Sequence, residues 1–170
     1  MPTNLEIKFR IDDLAAVEQK AALIADSGPL VLVQHDVFFR SPAARLKLRR
    51  FQDRPAELIA YQREDSESVR ESSWLSYPTA DADRLENVLS KAIGKGVVVQ
   101  KHRTLYLVGN TRVHLDKVDG LGSFVELEVV LDDELPATGA EQVAGELIDK
   151  LGLDNSQRVS VSYADLIAET

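Results

Sequence analysis

The sequence predicts an α+β fold in which eight antiparallel β-strands form a barrel or a strongly curved sheet, with helices packed outside. Short segments of alternating apolar and polar residues dominate the chain, which is typical of half-buried strands. Tight turns such as Gly109-Asn110 connect several of these segments as hairpins, and few helical segments interrupt them. A barrel of eight strands can enclose a small ligand. The 170 residues show no linker or repeat, so residues 1-170 are expected to form a single domain.

The first half of the chain begins with the clearest strand. Over residues 4–11 every second residue is apolar, which predicts a strand with one apolar face and one polar face. Asp12-Asp13 suit the positive end of a helix, so a helix is predicted over about 12–26, ended by Gly28-Pro29. The strands that follow are predicted at 31–40, 45–51, 57–64 and 72–78.

The second half repeats this alternation of strands and helices. A helix is predicted from about Ala80 to Ile93, with Gly94 just beyond its end. Hairpin turns then separate strands predicted at 97–108, 111–118 and 123–131. The remaining helices are predicted at about 139–151 and, as a short C-terminal piece, at 163–168.

The composition excludes several classes of protein. The chain has no cysteine, which removes disulfides, thiolate zinc sites and cysteine nucleophiles. No apolar run reaches the length of a signal peptide or a membrane span, so a cytoplasmic protein without a membrane partner is expected. The net charge of -8 argues against nucleic acid as a partner, because phosphate neutralisation needs a basic surface. The oligomeric state stays open.

Several predicted strands carry a charged face, and the sign of the charge differs from strand to strand. The polar faces carry Glu6/Lys8/Arg10, Arg45/Lys47/Arg49, Tyr61/Arg63, Lys101/Arg103, Arg112/His114/Asp116 and Glu126/Glu128. Alternation alone leaves two interpretations. The apolar faces form the core and the charged faces meet solvent, as is usual in antiparallel sheets. Alternatively, the charged faces point into the barrel and the apolar faces pack outward under the helices.

The kinds of charge favour the second interpretation. Solvated faces usually mix signs, whereas here nine lysines and arginines cluster on a few strand faces in a protein of net charge -8. Burying unpaired charge costs several kcal/mol per group, so such an interior requires a polyanion, and its acids require a cation. Magnesium that bridges carboxylates and phosphate oxygens meets both needs. The residues therefore predict a metal–polyphosphate site.

Short segments along nearly the whole chain match the signatures of one family in the expected order. They are NLEIK (4–8), QHDVFF (34–39), RLKLR (45–49), KHR (101–103), HLDKVDGLGSFVELE (114–128) and SYADL (162–166). This set resembles the CYTH superfamily of triphosphate tunnel metalloenzymes, and the segment at 114–128 is similar to its class IV adenylyl cyclase-like branch. Asn4 departs from the family's ExExK signature, whose first acid it replaces with an uncharged amide. This departure leaves open the metal affinity of the site and whether one ion or two bind.

The resemblance implies an eight-stranded triphosphate tunnel and a role for each charged residue. Substrate phosphates would be bound by Lys8, Arg10, Lys47, Arg49, Arg63, Lys101, Arg103 and Arg112. Mg²⁺ or Mn²⁺ would be held by Glu6, Asp116, Glu126 and Glu128. Catalysis would depend on Glu6, Lys8, Arg63 and Glu128. His114 is expected to be a wall residue rather than a ligand, and Asp36 is left between metal binding and capping a basic cluster.

The implied partner is a small-molecule triphosphate, and the reaction stays open. In hydrolysis, a metal-activated water attacks the terminal phosphorus of an inorganic or organic triphosphate. In cyclisation, the ribose 3′-hydroxyl of ATP attacks the α-phosphorus and pyrophosphate leaves. Hydrolysis is preferred, because it needs no adenine pocket and the sequence reveals none. A non-catalytic module that binds polyphosphate or nucleotides is a further alternative.

Overall fold

The computed structural model describes residues 3–63, 70–132 and 135–170. The strands are β1 (Thr3–Ile11), β2 (Ser27–Phe39), β3 (Arg45–Phe51), β4 (Ala56–Arg63), β5 (Arg70–Thr79), β6 (Lys95–Val108), β7 (Thr111–Val118) and β8 (Gly122–Leu131). The helices are α1 (Leu14–Ile24), α2 (Ala82–Ile93), α3 (Ala137–Leu151) and α4 (Tyr163–Ala168), and a 3₁₀ turn covers Asn155–Gln157. None of the helices in these ranges is both long and apolar enough to cross a bilayer. The predicted order of strands and helices is confirmed.

The strands pair antiparallel and form a barrel. Hydrogen-bonded neighbours follow the order β1-β5-β4-β3-β2-β6-β7-β8. β1 pairs with β8 along its whole length, from Thr3 opposite Leu131 to Ile11 opposite Ser123. The first part of β1, from Thr3 to Glu6, also pairs with β5. The order of pairings therefore returns to β1, and the sheet has an inside and an outside.

The segment after α1 differs from the prediction. α1 ends at Ile24, and Gly28-Pro29 lies inside β2 rather than in a loop before it. The register of β2 against β6 shifts between Ser27 and Leu30, so the two residues form an irregularity within the strand. Gly28 has a φ of +116°, and an added Cβ would meet the carbonyl oxygen of Leu105 at 2.8 Å. Only glycine fits there. The Gly-Pro pair that predicted the end of the helix therefore lies within a paired strand.

The apolar strand faces point outward and pack under the helices. Leu5, Ile7 and Phe9 of β1 are buried in one cluster with Leu127 and Leu147, which come from β8 and α3. A second cluster packs α2 against β2 and β3. Burial of each such side chain contributes about 1.5–3 kcal/mol, so closing the helices over the sheet is strongly favoured. The polar faces are left to line the interior, which agrees with the second interpretation of the alternation.

The C-terminal segment covers one end of the barrel. Tyr163 and Ala164 of α4 pack with Val99, Val118 and Phe124, whose side chains lie at that end of the interior. Ser162 and Asp165 form a reciprocal capping box at the start of α4. Arg45 donates to the Ser162 hydroxyl at 2.7 Å and to the Asp165 carboxylate at 2.9 Å. These bonds hold α4 over the opening.

Candidate active site

A cavity of about 300 Å³ occupies the barrel interior. Exposure rises along the inward face of β7. The side chain of Asp116 is 0% exposed, that of His114 is 5% exposed and that of Arg112 is 38% exposed. The cavity is therefore closed at the end that α4 covers and opens at the end where Arg112 lies.

Most of the predicted site residues line this single cavity. They are Glu6, Lys8, Lys47, Arg49, Lys101, Arg103, Arg112, Glu126 and Glu128. Asp116 is fully buried behind this lining, and Arg10 is exposed. The side chain of Arg63 lies outside the described residues, so its predicted role stays a prediction.

Arg10 follows the predicted strand parity but lies beyond the closed end. Its guanidinium donates to the Leu121 carbonyl at 2.8 Å and lies 4.8 Å from the centroid of the Phe124 ring. Phe124 belongs to the apolar cluster that seals this end, so Arg10 is separated from the cavity. The alternation of side chains along a strand determines the face on which each one lies. Whether that side chain reaches the cavity depends on how far the strand extends past it.

Asp36 holds two of the predicted phosphate-binding cations in place. Its carboxylate accepts hydrogen bonds from Nε and Nη2 of Arg49, both at 2.7 Å, and lies 3.1 Å from Lys47 Nζ. Burial alone would raise the pKa of Asp36, but the charges of Arg49 and Lys47 hold that pKa well below its usual range. Burial and the neighbouring Arg49 lower the pKa of Lys47. Asp36 therefore caps a basic cluster.

Arg103 and Asp116 form a second buried ion pair that is joined by two hydrogen bonds. Nε and Nη2 of Arg103 donate to the two carboxylate oxygens of Asp116 at 2.7 and 2.6 Å, and the Tyr163 hydroxyl donates to Oδ2 at 2.8 Å. Burial opposes ionisation of Asp116, but Arg103 and Lys101 outweigh it and lower the pKa of the carboxyl. Both oxygens of this predicted metal ligand are thus engaged by Arg103 and Tyr163. The structure does not bring Asp116 into the acidic cluster described next.

Three groups converge on the β7–β8 wall with the spacing of a cation site. Ligand atoms of His114, Glu126 and Glu128 lie within 4.8 Å of one another. Glu6 stands opposite Glu128 in the pairing of β1 with β8, and Lys8 Nζ lies 3.3 Å from Glu126. Carboxylate oxygens are the donors that hard divalent cations prefer. The cluster therefore fits a divalent cation, with Glu6 on the neighbouring strand as a further ligand candidate.

Two lysines lie over the ring of Tyr163 at the closed end. Nζ of Lys8 is 4.2 Å and Nζ of Lys101 is 5.1 Å from the ring centroid. Burial, reinforced by repulsion from Arg103, lowers the pKa of Lys101 to about 7, although Asp116 partly opposes the shift. An anion in the cavity would stabilise the charged form of this lysine.

Some residues of the site were not singled out from the sequence as ligands. His114 joins the acidic cluster, and its position between Arg112 and Asp116 on one strand face was the available signal. Gln34 also lines the cavity, and its Oε1 is buried without a hydrogen-bond partner within the described part of the chain. Such an atom fits a wall that contacts a polar ligand. Tyr163 enters from a separate helix, and strand parity carries no information about it.

A barrel interior that combines buried cations with an acidic cluster has the composition of a site for a polyanion and a divalent cation. The chain belongs to the CYTH domain family, whose model matches residues 2–163. The match therefore includes every strand and the first residue of α4.

Individual relatives agree with this assignment. The adenylate cyclase CyaB of Aeromonas hydrophila is 25% identical over 180 residues, which cover 98% of this chain and 90% of that protein. The structure of the PH1012 protein of Pyrococcus horikoshii OT3 superposes with a TM-score of 0.85 at 21% identity, over 96% of this chain and 98% of that one. HpAC1 from Hippeastrum, for which a dominant triphosphatase activity is described, gives a TM-score of 0.68 at 13% identity, over 99% and 94%. The chain therefore shares its family or its fold with proteins that include a named adenylate cyclase and a protein with a dominant triphosphatase activity.

Proposed function

We propose that the protein is a metal-dependent triphosphatase that hydrolyses a phosphoric anhydride bond of an inorganic or organic triphosphate inside the barrel. One observation carries the proposal: a single cavity brings five buried or nearly buried cations next to a cluster of acids. These cations are Lys8, Lys47, Arg49, Lys101 and Arg103. Phosphoryl transfer asks the protein mainly for positioning and charge stabilisation, and this arrangement supplies both.

The cations are proposed to bind the phosphate chain. The guanidiniums of Arg49 and Arg103 are each oriented by a two-point bond to a buried carboxylate, so their geometry is set before substrate enters. Lys8 Nζ lies 3.3 Å from Glu126, at the boundary between the basic and acidic parts of the cavity. This position suits a lysine that contacts the phosphoryl group being transferred.

The acidic cluster is proposed to hold Mg²⁺ or Mn²⁺. The ligands would be Glu126 and Glu128, with Glu6 from the paired strand and His114 completing the set. A bound ion of this kind would neutralise charge on phosphate oxygens and lower the pKa of a water molecule. The chain's own part is to orient the carboxylates. Arg103 lies 3.1 Å from Glu126 and Arg112 lies 3.3 Å from Glu128.

Cyclisation of ATP is the second candidate, because the cyclase CyaB of Aeromonas hydrophila is similar over nearly the whole chain. In that reaction the ribose 3′-hydroxyl gives up its proton to solvent and its oxygen forms a bond to the α-phosphorus. The bond from the α-phosphorus to the oxygen that bridges it to the β-phosphorus breaks, and pyrophosphate leaves. Hydrolysis is favoured here because phosphate-binding cations and a cation-binding cluster suffice for it, and the Hippeastrum relative has a dominant triphosphatase activity. A non-catalytic binding module is the remaining alternative.

Product analysis tests the proposal. The protein is incubated with tripolyphosphate or ATP in the presence of Mg²⁺ or Mn²⁺, and orthophosphate, pyrophosphate and cyclic AMP are quantified. We expect metal-dependent release of orthophosphate from both substrates. Cyclic AMP with equimolar pyrophosphate would establish the cyclase instead, and tight binding without turnover would establish the binding module.

A matched pair of variants links the activity to the cluster. Glu128→Gln removes one charge from the proposed metal site and is expected to lower kcat by roughly 100-fold, as for loss of a preorganised electrostatic stabiliser. Glu141→Gln makes the same change at an exposed position on α3 and serves as the control. Equal activities of the two variants would remove Glu128 from the mechanism.

A further inference from the structure

The only tryptophan of the chain stands in the wall of the cavity, and the function proposed above does not use it. Trp74 lies on the inward face of β5, opposite Tyr61 of β4. The guanidinium carbon of Arg112, which comes from β7, lies 6.0 Å from the centroid of the Trp74 ring. A cation at this distance is at the outer limit of direct contact with an aromatic face, about 6 Å.

The described side chains around Trp74 differ in chemistry from those in the rest of the cavity. Among the described side chains, β4 and β5 contribute Glu57, Ile59, Tyr61, Trp74 and Ser76 to the lining. None of these five is a cation, whereas the described cations of the proposed phosphate site come from β1, β3 and β6. The side chain of Arg63 on β4 is outside this comparison, because it is not among the described ones. A wall of this kind offers aromatic and apolar surface, which suits an uncharged planar group better than a phosphate.

Trp74 also lies on the open side of the site. Its partner Arg112 is 38% exposed, whereas the side chains of Arg103 and Lys101 are 7% and 5% exposed. If the phosphates of a triphosphate bind to the buried cations, the organic group attached to them would therefore extend past Trp74 toward solvent. An inorganic triphosphate has no group to place there.

We propose that Trp74 and Arg112 form a subsite for a planar heterocycle attached to the triphosphate, so that the preferred substrate is an aromatic organic triphosphate such as a nucleoside triphosphate. This inference rests on the proposed function only in taking the phosphates to bind in the cavity. It assigns Arg112 to the organic end of the ligand rather than to its phosphates.

The geometry admits such a group after a small movement. A ring between the two side chains makes two contacts of about 3.5 Å, so it needs roughly 7 Å between them. The present separation is 6.0 Å. The bond from Arg112 to Glu128 is 3.3 Å long and the guanidinium is partly exposed, so a rotation of the arginine supplies the difference. Arginine planes and indole rings both stack on heterocycles.

The single tryptophan makes a direct binding test available. Tryptophan fluorescence reports on Trp74 alone, and excitation at the red edge of its absorption avoids the nucleobase. The metal-free protein, which does not turn the ligands over, is titrated with the β,γ-imido analogue of ATP, with ribose 5-triphosphate, which lacks the base, and with tripolyphosphate. Free N-acetyltryptophanamide corrects for light absorbed by the ligands. We expect strong quenching by the ATP analogue only.

Two results would overturn the subsite. One is the same fluorescence change with all three ligands, which would show binding of phosphates without stacking. The other is no change with the ATP analogue. Neither result depends on turnover, so the subsite and the proposed hydrolysis can fail separately.

Kinetics provide the second test. Trp74→Leu is expected to lower the ratio of kcat/KM for ATP to kcat/KM for tripolyphosphate by roughly tenfold, the value typical of one stacked base. Tyr77→Leu is the matched control, because Tyr77 lies on the outer face of the same strand and is 69% exposed. An unchanged ratio in Trp74→Leu would contradict the inference.

Discussion

Lys101 is expected to take up a proton when a triphosphate binds. In the free protein, burial and the charge of Arg103 lower the pKa of this lysine to about 7. A phosphate oxygen within hydrogen-bond reach would reverse the shift, because an opposite charge nearby favours the ammonium form. Binding and protonation are therefore linked, and the linkage has a calculable size.

The sign and magnitude follow from the pKa of about 7 in the free protein and from the ordinary lysine pKa of about 10.4, which a bound phosphate would restore. With a pKa of about 7 in the free protein, about 0.1 of the Lys101 side chains carry the proton at pH 8, so full protonation on binding takes up about 0.9 proton. At pH 6 about 0.9 are already protonated, and the uptake falls to about 0.1. Uptake should therefore rise as the pH increases from 6 to 8.

Titration calorimetry measures this quantity. Tripolyphosphate is titrated into metal-free protein in HEPES and in Tris, whose protonation enthalpies differ, and the difference in heat gives the number of protons taken up. Lys101→Arg keeps the positive charge but does not titrate between pH 6 and 8. Lys101→Met has no charge and no titratable group. The ligand's own ionisation is common to all three proteins, so the difference from wild type isolates Lys101.

The expected result is uptake in wild type that both variants lack. If both variants take up as many protons at pH 8 as wild type does, Lys101 is already charged in the free protein or does not meet the phosphates. Either outcome refutes the argument from burial.

Two further predictions concern the acids and amides of the cavity. Asp36→Asn leaves Arg49 and Lys47 without their buried counter-charge, which should lower the free energy of unfolding by about 3–5 kcal/mol. Because tripolyphosphate can replace that charge, the ligand should raise Tm more in this variant than in wild type, and an equal rise would contradict the capping role. Asn4→Glu restores an acid to the cavity wall on the same strand as Glu6, so the half-saturating Mg²⁺ or Mn²⁺ concentration should fall. A titration of activity with metal in which that concentration is unchanged or higher would show that Asn4 does not weaken a metal position.

The strands could be predicted well because their period is local. Alternation over residues 4–11 marks both the strand and its two faces, and β1 covers Thr3–Ile11. Gly28-Pro29 was less informative, because the same local signal can end a helix or make an irregularity in a strand. Pairing with β6 selects the second outcome.

The candidate site could be predicted only in part, because parity leaves depth and partners open. The alternation along β1 placed Arg10 and Lys8 on one face, but of these two only Lys8 lies in the cavity. Parity grouped Asp116 with the acids, whereas Arg103 engages that carboxylate through both oxygens. Such outcomes depend on which side chains meet across the barrel, and this is determined by the stagger of neighbouring strands.

By itself, the sequence determined which side chains share the charged face of each strand, the order of the family's signatures and the α+β fold. The tertiary structure alone decided which strand face is interior, because that depends on where the helices bury their apolar surface. It also brought Tyr163 from α4 to Asp116 and placed Arg112 beside Trp74, contacts that join elements far apart in the chain. A strand's own residues specify its two faces through steric periodicity, but closure of the barrel specifies what each face meets.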